Sequence, residues 1–185
     1  YHGRTYGAMT ATTGFAMHYF QGLPTHLGTV RLPYPYCYRC LFGKDYPDCD
    51  MQCTKFIEEH FTDPLYGHGF KMDGRPINNV SAFLVEPVEC PGGYIVPPKE
   101  FLRDVRRIAD ENNVLLIDDE IQTGWGRSGK TWACEHSGVA PDILLTAKAL
   151  GHGVPISVTI ARAEILDELG PGGHSTTMGG TPLAC

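Results

Sequence analysis

The sequence predicts an α/β fold: a mainly parallel sheet with helices on both faces. Two observations predict it. Short apolar runs at residues 82–85, 114–117 and 143–145 are continuous rather than alternating with polar residues. Such runs suit strands buried on both faces, as in parallel sheets. Between the first two runs lies a stretch, 99–112, whose Leu102, Val105, Ile108 and Ala109 recur at helical spacing on one face. Strand, helix, strand is the order that joins parallel neighbours.

Taken along the chain, the first half is irregular. Residues 22–51 are dense in Pro, Tyr, Gly and Cys and keep no helical period, so they read as a long ordered excursion rather than a core element. Ala82-Phe83-Leu84-Val85 is the first buried strand. Pro97-Pro98 opens the helix at 99–112 and Asn112-Asn113 closes it. Val114-Leu115-Leu116-Ile117 is the second strand, ending on Asp118-Asp119-Glu120. A third follows at 143–145, a fourth at 156–161, and a short helix at 163–169. Ligands of open parallel sheets bind beyond the carboxyl ends of the strands. Glu86 and Asp119 stand at two such ends, and Lys148 lies three residues beyond Leu145, so polar chemistry gathers on one edge.

The 185 residues are 42% hydrophobic and 19% charged, which excludes extended disorder and a coiled coil. A net charge of −6 argues against nucleic acid or an anionic membrane as partner. No apolar run nears the ~20 residues of a membrane span. Seven cysteines, an odd number, with no secretory leader ahead of Tyr1, are expected as thiols in the cytoplasm.

Taken alone, Asp119 is a loop acid or cap and Lys148 a surface lysine. Their setting says more. Lys148 sits among small residues in Thr146-Ala147-Lys148-Ala149 directly after a strand. There it is expected to be shielded from solvent, as a nucleophilic amine requires. The segments Leu116-Ile117-Asp118-Asp119-Glu120-Ile121-Gln122-Thr123-Gly124, Gly126-Arg127-Ser128-Gly129 and Asp142-Ile143-Leu144-Leu145-Thr146-Ala147-Lys148 resemble the signature of class III aminotransferases. These are pyridoxal-phosphate (PLP) enzymes of fold type I, the ornithine and 4-aminobutyrate group. Tyr1-His2-Gly3-Arg4-Thr5, Glu86-Pro87 with Gly92-Gly93, and Thr177-Met178-Gly179-Gly180-Thr181-Pro182-Leu183-Ala184 resemble further segments of the family, in the family's order.

The resemblance implies roles. Lys148 would hold PLP as a Schiff base and shuttle the substrate's proton. Asp119 would pair with the pyridine nitrogen and keep the ring a strong electron sink. Gln122 would bind the ring's phenolic oxygen, and Tyr1 would stack on the ring. Thr177 would bind the cofactor phosphate of a neighbouring subunit, which implies a homodimer with shared active sites. Glu86 would be an acid near the cofactor. Residues 1–185 would be the central, incomplete part of the large cofactor-binding domain, with a Cys-rich inserted loop at 33–53. An N-terminal segment and a C-terminal small domain would lie outside it. The reaction implied is transfer of an amino group from an amine or ω-amino acid, 4-aminobutyrate-like, to a 2-oxo acid such as pyruvate or 2-oxoglutarate.

The chain departs from the family pattern at Pro91, where members using 2-oxoglutarate often carry a Glu that pairs with a substrate-binding Arg. Proline cannot do so, which points to a pyruvate-like or glyoxylate-like acceptor, with Glu89 as a substitute acid. Thr181 stands where Asn is usual. Independently, Cys37-x2-Cys40 and Cys49-x3-Cys53 have metal-ligand spacing. They read either as ligands of Zn²⁺ or an iron–sulfur cluster, or as four ordinary thiols. Competing functions are a class III decarboxylase, racemase, aminomutase or lyase using the same Lys, Asp and Gln, and a catalytically inactive metal-stapled scaffold. A nicotinamide enzyme is disfavoured because no Gly-x-Gly-x-x-Gly follows the first strand.

Overall fold

A computed structural model describes residues 1–13, 28–63, 67, 69–177 and 179–185. Residues 22–27 of the irregular segment and Met178 of the Thr-x-Gly-Gly segment lie outside the described residues. The main sheet has four strands in the order β3 (Ala82–Val85), β4 (Leu115–Asp119), β5 (Ile143–Thr146) and β6 (Val158–Ala161). The pairs β3–β4 and β4–β5 are parallel, and β6 is antiparallel to β5. The expected strands are present, with shifted ends. Val114 stays outside β4, whereas Asp118 and Asp119 lie inside it. The fourth strand begins at Val158 rather than Ile156.

Helix α3 (Lys99–Asn112) has the expected bounds. Phe101, Leu102, Val105, Ile108 and Ala109 are buried against Val114 and Leu116. Full burial of a side chain such as Ile108 or Leu116 stabilises by roughly 1.5–3 kcal/mol. The helix stops where Asn113 enters the left-handed region, φ 54°, and its N–H bonds back to Ala109 and Asp110. Helix α2 (Gln52–Thr62) lies beside α3 and adds Ile57 and Phe61 to the core. The Phe61 ring meets Phe83 edge-on at 5.5 Å, and the Thr54 hydroxyl donates to Asp104 at 2.8 Å. Both helices thus cover one face of the sheet. On the opposite face Leu84, Ile117, Ile143 and Leu145 are half-buried.

Three elements were not expected from the sequence. α1 (Tyr6–Ala11) and α2 fall in the half read as irregular. α2 buries only Thr54, Ile57 and Phe61, too sparse a stripe to stand out among its polar residues. The hairpin β1 (Gly69–Met72) and β2 (Arg75–Asn78) turns on Asp73 and Gly74, both with positive φ. Asp-Gly between strands is the type I′ turn signal, overlooked because its strands are short. The 22–51 segment is irregular where described, apart from a 3-10 turn at Cys37–Arg39. It is nonetheless attached to the core through Leu32, Tyr34 and Met51. Cys53, read as part of a loop, lies in the first turn of α2.

Asp142 ties the layers together. Its Oδ2 accepts the Leu116 N–H at 2.8 Å and Arg106 of α3 at 2.7 Å, and its Oδ1 meets Arg162 beyond β6 at 3.2 Å. Burial acts against the charge, but the Leu116 N–H and Arg106 outweigh it and hold the carboxyl below its usual range. Its stabilising contribution is therefore present above the unfolded value of about 3.9 and lost as pH falls through the lower folded value. Asp142→Asn should cost about 1–3 kcal/mol at pH 7, read by urea denaturation of the full-length protein. The gap between variant and wild type should close as the pH is taken below 4.

Candidate active site

The pleat of β4 sorts its acids. Asp118 is in register with Val85 and Leu144, on the α3 face, while Asp119 pairs with Leu145 on the other. Asp119 is only 4% exposed. Its Oδ1 accepts the Ile121 N–H at 3.1 Å, and its Oδ2 meets His2 Nδ1 at 2.8 Å. His2 is held in turn, its N–H donating to Thr12 Oγ1 at 3.0 Å. Thr12 is wholly buried and donates to the Ala8 carbonyl at 2.9 Å. His2 has no signal in the sequence, because a single histidine 117 residues from its partner has no spacing to show.

Lys148 stands on the short turn between β5 and β6, with φ 40°. Its Nζ donates to Gln122 Oε1, so two of the expected residues meet directly. The side chain is exposed, contrary to the expected shielding. Ala147 and Ala149 are too small to cover it, and the turn lifts it off the strand. Beside it Trp125 donates to Thr146 Oγ1 at 2.8 Å and crosses Trp132 at 5.3 Å. The Trp132 ring lies against Gly124, where a Cβ would come within 2.7 Å of it.

Glu86, just after β3, is buried and contacts the main-chain nitrogen of Tyr1. Its Oε2 accepts the Cys90 N–H at 3.0 Å, and its carbonyl accepts the Tyr34 hydroxyl at 3.1 Å. The turn carrying Pro91 is closed by paired bonds between Glu89 and Ile95. Glu89 folds over Gly92, where a Cβ would lie 2.5 Å from its Oε1. Burial, and then Glu86, push the Glu89 carboxyl up. Burial and Glu86 likewise push the Cys90 thiol to about 11, with Lys148 acting the other way and Asp119 adding to the rise. One buried thiol thus senses all three charged groups at the sheet edge. A cavity of about 690 Å³ has Tyr1, His2, Tyr34, Glu86 and Glu89 along one part of its wall.

Two expected sites lie apart. Thr177 is exposed on the irregular stretch after the last helix, with no side-chain hydrogen bond to the described residues. Cys37, Cys40, Cys49 and Cys53 line a separate cavity of about 20 Å³. Burial, and then Cys49 and Cys40, push the Cys37 thiol up.

Beneath the site lies a buried group no sequence signal pointed to. Asp118, Glu120 and Cys134 bring one potential ligand atom each within 4.8 Å of one another. Glu120 Oε1 accepts the Cys134 N–H at 2.9 Å and Oε2 accepts the Thr123 hydroxyl. Both Asp118 oxygens are buried without a hydrogen bond. Burial, and then the Glu120 charge, hold the Asp118 carboxyl well above its usual range.

The family model described as Aminotransferase class-III matches residues 1–185. Leucine/methionine racemase of Thermococcus litoralis is 44% identical over all of this chain, which spans 39% of that protein. A Bacillus anthracis aminotransferase structure is similar over the whole chain, with TM-score 0.81 and 30% identity, and 40% of it is covered. The ornithine aminotransferase of Toxoplasma gondii, whose structure reveals partial occupancy of PLP at its active site, matches 56% of this chain and 25% of its own, with TM-score 0.55 and 50% identity. The chain therefore spans less than half the length of these relatives.

An acid whose folded pKa is raised above its unfolded value loses stability as pH rises from about 3.9 through the folded value. Asp118→Asn removes that titration. Thermal unfolding of the full-length protein should show the variant gaining on wild type as the pH rises above about 4. A stability difference independent of pH would refute a raised Asp118.

Proposed function

The chain belongs to the class III aminotransferases, and on that premise we propose that it forms the catalytic centre of a PLP-dependent transaminase. One observation carries the reading: Asp119, fixed on both oxygens, and Lys148, facing Gln122, stand at the ends of adjacent strands. This donor set suits PLP: an exposed amine for its aldehyde, a held carboxylate for its ring nitrogen, an amide for its phenolic oxygen. When bound, PLP supplies that aldehyde and an electron-poor ring that takes up the charge left when a substrate bond to carbon breaks.

The chain's residues do the rest. Lys148 would hold the cofactor and carry away the proton released from the amine-bearing carbon of the substrate. Asp119 keeps a proton on the ring nitrogen, and His2 keeps Asp119 turned toward it. Gln122 steadies the phenolic oxygen, and Tyr1 covers the ring face. Thr177 serves the cofactor phosphate of a second subunit. Its exposure, with that of Val158, Ile160, Leu169 and Leu183, supports a homodimer in which partner and remaining chain cover this side. On this reading residues 1–185 are part of the large cofactor-binding domain, with 33–53 an insertion.

Pro91 in place of an Arg-pairing acid supports an acceptor with one carboxylate. We assign an amine or ω-amino acid, 4-aminobutyrate-like, as donor and a pyruvate-like 2-oxo acid as acceptor, ahead of 2-oxoglutarate. A second reading is racemisation, favoured by the match to the T. litoralis racemase over the whole chain. Lys148 then returns the proton without net amino transfer. Among the described residues no helix is long and apolar enough to cross a membrane, and all seven cysteines are free. Both fit a cytoplasmic setting.

Full-length protein should carry a visible chromophore that borohydride fixes onto Lys148. A colourless protein under saturating PLP would sink the proposal. Lys148→Ala should lower turnover by more than about 10³-fold. His2→Phe should lower kcat/KM about tenfold, the worth of one charged hydrogen bond. A donor and acceptor screen beside solvent-deuterium exchange separates the readings: transamination releases a new oxo acid, whereas racemisation labels the α-carbon of a conserved amino acid.

A further inference from the structure

We propose that residues 34–53 hold a four-thiolate metal centre, with Cys37, Cys40, Cys49 and Cys53 as its ligands. The metal is a soft one, a single zinc ion or iron with inorganic sulfide. The site is independent of the PLP reading.

Convergence is the first argument. Two close cysteine pairs, eight residues apart, come from a 3-10 turn, the loop after it and the start of α2. All four nonetheless line one small cavity, walled by Tyr34, Pro35, Phe42, Met51 and Pro98. None is in a disulfide. Grouped thiolates are what zinc and iron–sulfur centres use.

The local backbone is shaped for the task. Cys40 and Cys49 each open a turn, their carbonyls accepting the N–H of Gly43 and Gln52. Gly43 has φ 63°, which lets the chain fold back over the first pair. Cys53 is held on the first turn of the 11-residue α2.

The segment has few anchors of its own. Tyr38 is 83% exposed and Leu41 76%, while Tyr34 and Met51 pack on the core and Phe42 meets Phe56 of α2 at 5.7 Å. A metal replaces the missing core, and its binding energy becomes folding energy as the thiol protons leave. The effect reaches the active site through Tyr34, which packs against Phe101 at 5.2 Å and donates to the Glu86 carbonyl. The centre is thus a positioning device for the cavity wall.

The sulfurs do not close into a group within 4.8 Å. A tetrahedral zinc site needs them about 3.8 Å apart, from a Zn–S bond of ~2.3 Å, so zinc requires the thiols to turn inward.

The test is elemental analysis with visible absorption on full-length protein, purified anaerobically without chelators. About one zinc per chain, or about two to four irons with matching sulfide, is expected. Cys37→Ser with Cys49→Ser should remove it. Should that variant fail to fold, a mercurial titration of wild type replaces it, with about four thiols consumed per metal released to a metallochromic dye. Metal below about 0.1 per chain, full retention in the double variant, or release without thiol consumption overturns the proposal.

Discussion

Strand β4 is buried on its α3 face and half-buried on the other, and its pleat sends consecutive carboxyl groups to opposite sides of one sheet. The rest of the structure depends on that constraint. Asp119 can be a fixed charge at the active edge because its strand is clamped between β3 and β5 and its oxygens are already bonded. Asp118, one residue earlier, points into the core that α2 and α3 make. With Glu120 beside it, it is driven toward its neutral form. A one-residue slip of register would exchange their places, turning Asp118 to the site and Asp119 into the core. The Asp142 carboxylate, bonded to the Leu116 N–H, α3 and the segment after β6, resists such a slip.

The site is assembled from strand ends rather than from any one segment. β3 delivers Glu86, β4 delivers Asp119 and Gln122, and the turn after β5 delivers Lys148. The N-terminal stretch brings Tyr1 and His2 across to them. Parallel strands make this possible, because their carboxyl ends all open on the same edge. The antiparallel β6 lets the chain turn back within the residues that carry Lys148. The amine therefore sits on a tight, positively dihedral turn instead of a long mobile loop.

How legible all this is in the sequence varies by element. α3 is readable to the residue, because its apolar stripe, its proline entry and its asparagine exit agree. The strands β3, β4 and β5 are readable as continuous apolar runs, though β4 keeps two acids that composition alone pushes outside. α2 is not, since three buried side chains in eleven residues leave no clear period. The hairpin was legible in principle from Asp73-Gly74 and was passed over because four-residue strands give little alternation. Lys148 was expected to be covered by its own surroundings, but alanines cover nothing, and shielding by other segments is not a local property.

By itself the sequence determined which chemical groups the protein carries, in which order, and at which strand ends. That sufficed for the α/β class, the family and the pairing of a lysine with an acid and an amide. Only the tertiary structure decided who holds whom: His2 on Asp119, Asp142 between α3, β4 and the end of β6, Asp118 beside Glu120 and Cys134, four cysteines around one cavity. The reason is physical. Periodicity, caps and turns are set by neighbours within a few residues and leave a mark on the chain. A contact across a hundred residues is chosen by packing, which satisfies buried polar groups with whatever the fold brings near.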